Sequence, residues 1–196
     1  APAPETVLPE LPGMVAPEAF QIPVGLAMTS YETQLAGSPH RWDDYYVGEK
    51  IDHVDGMTLE ESEHQIATRL YQNTAKVHFD QVAANQGRFG KRLIYGGHII
   101  SLARALSFNG LGNAFRIAAI NAGAHANPAF AGDTVFAWSE VLGKFELPGR
   151  RDLGALRLRL VAVRNRQASD FPLRSEDGKY HPDVLLDFDY TVLMPR

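Results

Sequence analysis

The clearest pattern in the chain is a two-residue alternation near its end. Residues 155–164 (ALRLRLVAVR) put Leu156, Leu158 and Leu160 on one face and Arg157 and Arg159 on the other. Residues 184–194 repeat it, with Leu186, Phe188 and Tyr190 opposite Asp187 and Asp189. Residues 133–144 (DTVFAWSEVLGK), after the turn Ala131-Gly132-Asp133, and the small apolar run 117–125 (IAAINAGAH) complete four predicted strands. Before them lies His98–Phe108 (HIISLARALSF), apolar around most of a helical circumference, which predicts a buried helix. Further upstream, Ile51–Val54 reads as a short strand. A helix is predicted from Thr58, where Thr58 and Glu61 form a capping box, with Ile66, Ala67 and Leu70 as its apolar face. The stretch from Gln72 to Gly90 is polar and unpatterned. One buried helix followed by long antiparallel strands predicts an α+β fold, a curved sheet wrapped around a central helix.

Residues 1–40 read differently. Pro2, Pro4, Pro9, Pro12 and Pro17 repeatedly fix φ and remove backbone donors, which predicts an extended linker or surface-hugging arm. Ordered structure is expected from near Arg41, making 41–196 the domain. A proline-rich opening that starts on Ala1 and lacks Met predicts the C-terminal part of a longer polypeptide.

Composition narrows the function classes. With 196 residues, 45% of them hydrophobic, there is room for one domain and an extension. The formal net charge of −4 argues against nucleic acid as the main partner. The absence of cysteine removes disulfide, zinc-thiolate and cysteine-nucleophile chemistry and fits the cytoplasm. No apolar run approaches the roughly 18 residues of a membrane span, and no signal-peptide pattern opens the chain. His40, His53, His64 and His181 show no metal-ligand spacing with carboxylates, so no metal site is expected. A cytoplasmic protein acting on a small molecule is the expectation.

Three segments carry candidate chemistry. They are Tyr71-Gln72-Asn73-Thr74-Ala75-Lys76-Val77-His78, then Arg92-Leu93-Ile94-Tyr95-Gly96-Gly97, then Asn127-Pro128-Ala129-Phe130-Ala131-Gly132-Asp133-Thr134. In this order they resemble MaoC-like, (R)-specific enoyl-CoA hydratases. The first matches their Gly-Asp-x-Asn-Pro-apolar-His signature, the second the His-Gly approach to the central helix, the third a Pro-x-x-x-Gly-Asp-Thr turn. More narrowly, YQNTAKVHFD, YGGHIISLARALSFNGL and NAGAHANPAFAGDT resemble the C-terminal half of mesaconyl-CoA hydratases, whose two hotdog halves are joined by a linker like APAPETV.

The resemblance implies a hotdog fold and reversible hydration of an enoyl-CoA thioester, mesaconyl-CoA to β-methylmalyl-CoA. CoA would be part of the substrate, with no further cofactor. That reaction needs a group for the water's proton and donors for the thioester oxygen. His78 is the expected acid/base, since an imidazole both accepts and returns a proton near neutrality. The Gly96 amide is the expected oxyanion donor, because helix N-termini present free amides and a positive dipole end. Asn73 stands where the family has aspartate; it cannot take a proton, though its amide can orient water or hold a substrate oxygen. A carboxylated substrate would explain the exchange, since an aspartate there would repel it. Tyr95 and Gly97 are expected to wall the substrate pocket. Arg92 and Arg104 are candidates for a substrate carboxylate or CoA phosphates. His98 is read as a packing or capping group, His125 as a satisfied polar residue, and Arg157 and Arg159 as a solvated sheet face. A homo-oligomer, or pairing with the missing N-terminal half, is expected to complete the sheet edge and the substrate tunnel. An acyl-CoA thioesterase and a non-catalytic hotdog half are the alternatives.

Overall fold

A computed structural model describes residues 9–196; Pro2 and Pro4 of the proline-rich segment lie outside the described residues. In chain order the elements are α1 (Thr33–Ala36), β1 (Lys50–Thr58), α2 (Glu61–Leu70), α3 (Gln81–Asn85), α4 (Gly96–Leu106), α5 (Phe108–Leu111), β2 (Arg116–His125), β3 (Thr134–Glu146), β4 (Leu153–Arg164) and β5 (Val184–Pro195). The strands form one antiparallel sheet in the order β1-β3-β4-β5-β2, so β1 and β2 are its edges.

The alternation read in the sequence sets what each face of the sheet touches. Leu156, Leu158 and Leu160 of β4 face inward with Leu186, Phe188 and Tyr190 of β5. Against them α4 buries Ile99, Leu102, Ala103 and Leu106. Ser101 and Ala105 stay exposed, so α4 is buried along one face only. On the other face Arg157 pairs with Asp189, and Arg159 pairs with Asp187 and Glu140. This face is not open to solvent as the sequence suggested. Phe20 and Met28 of the N-terminal arm are buried on it beside Ala155 and Leu193, and Val15 N–H donates to Asn121 Oδ1. Trp138, Val161 and Val163 are covered by Phe171 and Leu173 of the loop after β4. The arm is therefore ordered well before Arg41, because its apolar residues have a sheet to lie on.

The region between β1 and α4 departs most from expectation. The strand predicted at 51–54 runs to Thr58, whose hydroxyl pairs with Thr134 across the sheet and caps nothing. Helix α2 starts at Glu61 with Glu60 as its N-cap, and Glu61 pairs with Arg92. The face of α2 expected to be buried is turned outward: Ile66 and Leu70 are 59% and 72% exposed, while His64 and Thr68 are buried. The unpatterned stretch contains a 3-10 turn at Lys76–His78 and α3, capped by Asp80 accepting from Ala83 N–H. Among the described residues no helix is long and apolar enough to cross a membrane, and no group of three or more His, Asp or Glu side chains is placed to hold a metal.

Candidate active site

The backbone leading into α4 is suspended between three elements, the 3-10 turn at Lys76–His78, the loop before β3 and α2. Leu93 N–H donates to Val77 O, Ile94 N–H to Ala129 O and Tyr95 N–H to His64 Nε2. Leu93 O accepts from His78 Nδ1 at 3.0 Å. A carbonyl can only accept, so the His78 proton sits on Nδ1 and the Nε2 lone pair is left free. The His78 backbone is held as well: its N–H donates to Ala75 O, and its carbonyl accepts from Gln65 Nε2 at 2.9 Å.

His78 and Gly96 line one cavity of about 360 Å³, together with Leu93, Ile99, His125 and Pro128. Gly96 opens α4, and Tyr95 O closes the first turn by accepting from the amides of His98 and Ile99. The first two helical amides, Gly96 and Gly97, make no backbone hydrogen bond among the described residues, as expected at a helix start. Their lack of side chains has a local cause. A methyl group at Gly96 would lie 2.5 Å from His125 Nε2, and one at Gly97 would lie 2.6 Å from Tyr95 Cε1. The Tyr95 ring in turn stands edge-on to His78, centroids 5.9 Å apart. A free imidazole nitrogen and a free helix-end amide thus share one largely apolar chamber. Such an arrangement can accept a proton at one point and stabilise developing negative charge at another.

The other residues singled out by sequence are distributed more widely. Asn73 does not line the cavity; its Oδ1 accepts from Ala75 N–H, tying the side chain into its own turn, and its Nδ2 makes no hydrogen bond among the described residues. Arg92 pairs with Glu61, and its Nε is buried without a partner among the described residues. Arg104 does not line the cavity: it donates to Ser107 Oγ and Ala114 O and lies over the Tyr190 ring, securing the end of α4. The Asn127–Thr134 segment lends Asn127, Pro128 and Ala129 to the cavity lining and is braced from behind. Asn127 Nδ2 donates to His181 O and Val184 O, and Asp133 accepts from Phe130 N–H and Asn165 Nδ2.

Two histidines stand closer to the site than the sequence reading placed them. His125, read as a satisfied polar group, makes no side-chain hydrogen bond among the described residues and lies directly over Gly96, its pKa lowered by burial. Its position at the end of an edge strand, just before the Asn127-Pro128 turn, was the available signal. His64 is fully buried behind the helix start. Burial first, then the neighbouring His78, His98 and Arg92, lower its pKa to about 4. His98 Nε2 is buried and unpartnered among the described residues, and burial lowers that pKa too, partly opposed by Glu63.

Comparison with known proteins gives these residues a context. No protein-family profile matches the chain. The β-methylmalyl-CoA dehydratase of Chloroflexus aurantiacus is 62% identical over 196 residues, covering 100% of this chain and 56% of that protein. The mesaconyl-CoA hydratase of Cereibacter sphaeroides is 65% identical over 198 residues, with the same coverages of 100% and 56%. A solved MaoC-domain protein of Chloroflexus aurantiacus superposes with a TM-score of 0.94 at 62% identity, over 100% of this chain and 56% of its own. A double-hotdog protein of Mycobacterium tuberculosis, 19% identical, shares the fold with a TM-score of 0.59, over 80% of this chain and 44% of that one. The chain spans about half the length of the curated relatives it matches. It shares the hotdog fold, and over its whole length it is similar to about half of a β-methylmalyl-CoA dehydratase or mesaconyl-CoA hydratase chain.

Proposed function

We propose that the chain carries the catalytic site for reversible hydration of an enoyl-CoA thioester, with mesaconyl-CoA and β-methylmalyl-CoA as the substrate pair. The names of the two relatives support the substrate. The observation that carries the reading is the free Nε2 of His78 and the free amide of Gly96 on one cavity. In the forward direction a water oxygen bonds to the β-carbon and its proton passes to His78 Nε2. The C=C electron pair moves toward the thioester oxygen, which the Gly96 N–H receives. The imidazolium then returns its proton to the α-carbon, so the sum is one water added. Dehydration runs the same steps backward.

Asn73, which stands outside the cavity lining, is the donor proposed for this scheme because its amide nitrogen is the end its turn leaves free. Tyr95 and Gly97 are not among the residues lining the cavity: Tyr95 backs it by standing edge-on to His78, Gly97 lies under the Tyr95 ring, and Arg92, paired with Glu61, is the cation proposed for a substrate carboxylate. The chemistry moves only a proton and a hydroxide and asks for no cofactor beyond the CoA of the substrate. Edge strand β2, with Ile117 and Ile120 exposed, is the surface on which a second hotdog unit would extend the sheet. The cysteine-free chain is suited to the cytoplasm, where CoA thioesters are handled.

The test is His78→Ala in the natural full-length protein, assayed on mesaconyl-CoA. Hydration should fall about 100-fold or more, the scale of general acid–base catalysis. Release of free CoA thiol that survives the substitution would instead identify a thioesterase. Hydration that survives it would assign the chemistry elsewhere in the full protein.

A further inference from the structure

The polar face that α2 turns inward reaches the site from behind, and the chemistry above uses none of it. His64 Nε2 accepts from Tyr95 N–H at 2.9 Å. Gln65, the next residue, donates to the His78 carbonyl at 2.9 Å. Thr68 Oγ1 donates to His64 O at 2.7 Å, and Thr68 O accepts from Asn73 N–H at 3.0 Å. An imidazole in a dry helix interface is costly unless its polar atoms are engaged; here Nε2 takes the Tyr95 amide, and Nδ1 lies 3.5 Å from Gln65 Nε2. An aliphatic residue would fill this space and leave the Tyr95 amide buried without an acceptor.

The bond falls at an informative point. Tyr95 O is already tied down by the His98 and Ile99 amides at 2.9 and 3.4 Å. With Tyr95 N–H tied to His64, the residue is held at both its nitrogen and its carbonyl. Rotation about the Tyr95 ψ angle, the motion that would swing the Gly96 N–H, is thereby opposed from both sides. We propose that His64 is a positioning residue for the oxyanion donor, holding the Tyr95–Gly96 peptide so that the Gly96 amide stays directed into the cavity. The proposal rests on the hydratase reading of the site.

The acceptor role requires an unprotonated Nε2, and the surroundings enforce it. The rings of His78 and His98 lie 6.3 and 6.4 Å away, Arg92 adds a positive charge, and burial disfavours the imidazolium. Glu63, the nearby carboxylate, bears on His98 and not on His64. Gln65 performs the parallel task for His78, so consecutive residues of one helix hold the proton acceptor and the oxyanion donor in register.

The experiment compares His64→Leu and His64→Gln in the natural full-length protein with mesaconyl-CoA. Leucine fills the site without an acceptor; the glutamine carbonyl can still take the Tyr95 amide. In His64→Leu, kcat should fall about 10- to 100-fold while KM moves less than about threefold, the split expected when a transition-state interaction alone is lost. His64→Gln should recover much of that loss, and exchange of the Tyr95 amide hydrogen should quicken only in His64→Leu. If kcat in His64→Leu equals that of the wild type, or if both variants lose kcat in step with their melting temperatures, the proposal is overturned. A wild type unable to hydrate the substrate would sink the hydratase reading alone. Tyr95 exchange then decides for His64, and unchanged exchange in His64→Leu removes the anchor.

Discussion

Gly96 and Gly97 are glycines for separate reasons, each an aromatic ring. The imidazole of His125 covers one and the phenol of Tyr95 the other. In Gly96→Ala the new methyl can be accommodated only by moving the His125 ring, and the cavity lies beside it. Alanine is the better helix former by about 1 kcal/mol, so the fold should keep its melting temperature. We expect kcat/KM for mesaconyl-CoA to drop at least about tenfold, the cost of displacing reacting groups by a fraction of an ångström to an ångström. An alanine variant with unchanged kcat/KM would show that the reaction does not depend on where the His125 ring stands. The glycine pair and His78 were legible as a motif because their spacing along the chain is the signal. His64 and His125 were not, since each matters through one ring placed over a distant backbone atom, and no periodicity encodes that.

The long strands were read within a few residues of their ends, because alternation between a buried and a paired face is a local pattern with a direct physical cause. Helix α2 shows where such reasoning inverts. Its buried positions are His64 and Thr68, chosen for the hydrogen bonds they make, while Ile66 and Leu70 face outward. A hydrophobic pattern finds the apolar side of a helix and cannot tell that the polar side is the one needed inside. Arg104 on α4, expected from sequence as a candidate substrate ligand, donates to Ser107 Oγ and Ala114 O, and we propose a structural role for it. Arg104→Met should therefore lower unfolding free energy by about 1.5–3 kcal/mol, the range for a lost charged hydrogen bond, and leave KM for the CoA thioester unchanged. Urea unfolding and steady-state kinetics on the same variant separate the two roles. A raised KM with intact stability would restore Arg104 to substrate binding.

At the scale of the whole molecule, buried histidines make stability respond to pH in a window the carboxylates leave clear. His53 and His64 are both fully buried. His53 is bonded to Asn109 O and Ser139 Oγ, and desolvation holds each ring's pKa down to about 4 against 6.5 in the unfolded chain. As pH falls below 6.5 the unfolded chain takes up protons that the folded chain refuses, so stability is full above pH 6.5 and is lost as pH falls toward 4. From pH 7.5 to 5.0 each histidine should cost about 2 kcal/mol on this linkage. His98 and His125, also lowered, act with the same sign. Asp152, held down by Arg150 and the Met28 amide, acts only at lower pH, because its unfolded value is 3.8. Urea unfolding at pH 7.5 and 5.0 measures the sum, and His64→Gln isolates one share. The variant's stability difference between the two pH values should shrink by about 2 kcal/mol relative to the wild type, whatever its absolute stability. An undiminished difference would mean that His64 is protonated as readily in the folded protein as in the unfolded chain, and its Nε2 could then not serve as the acceptor for Tyr95 below neutral pH.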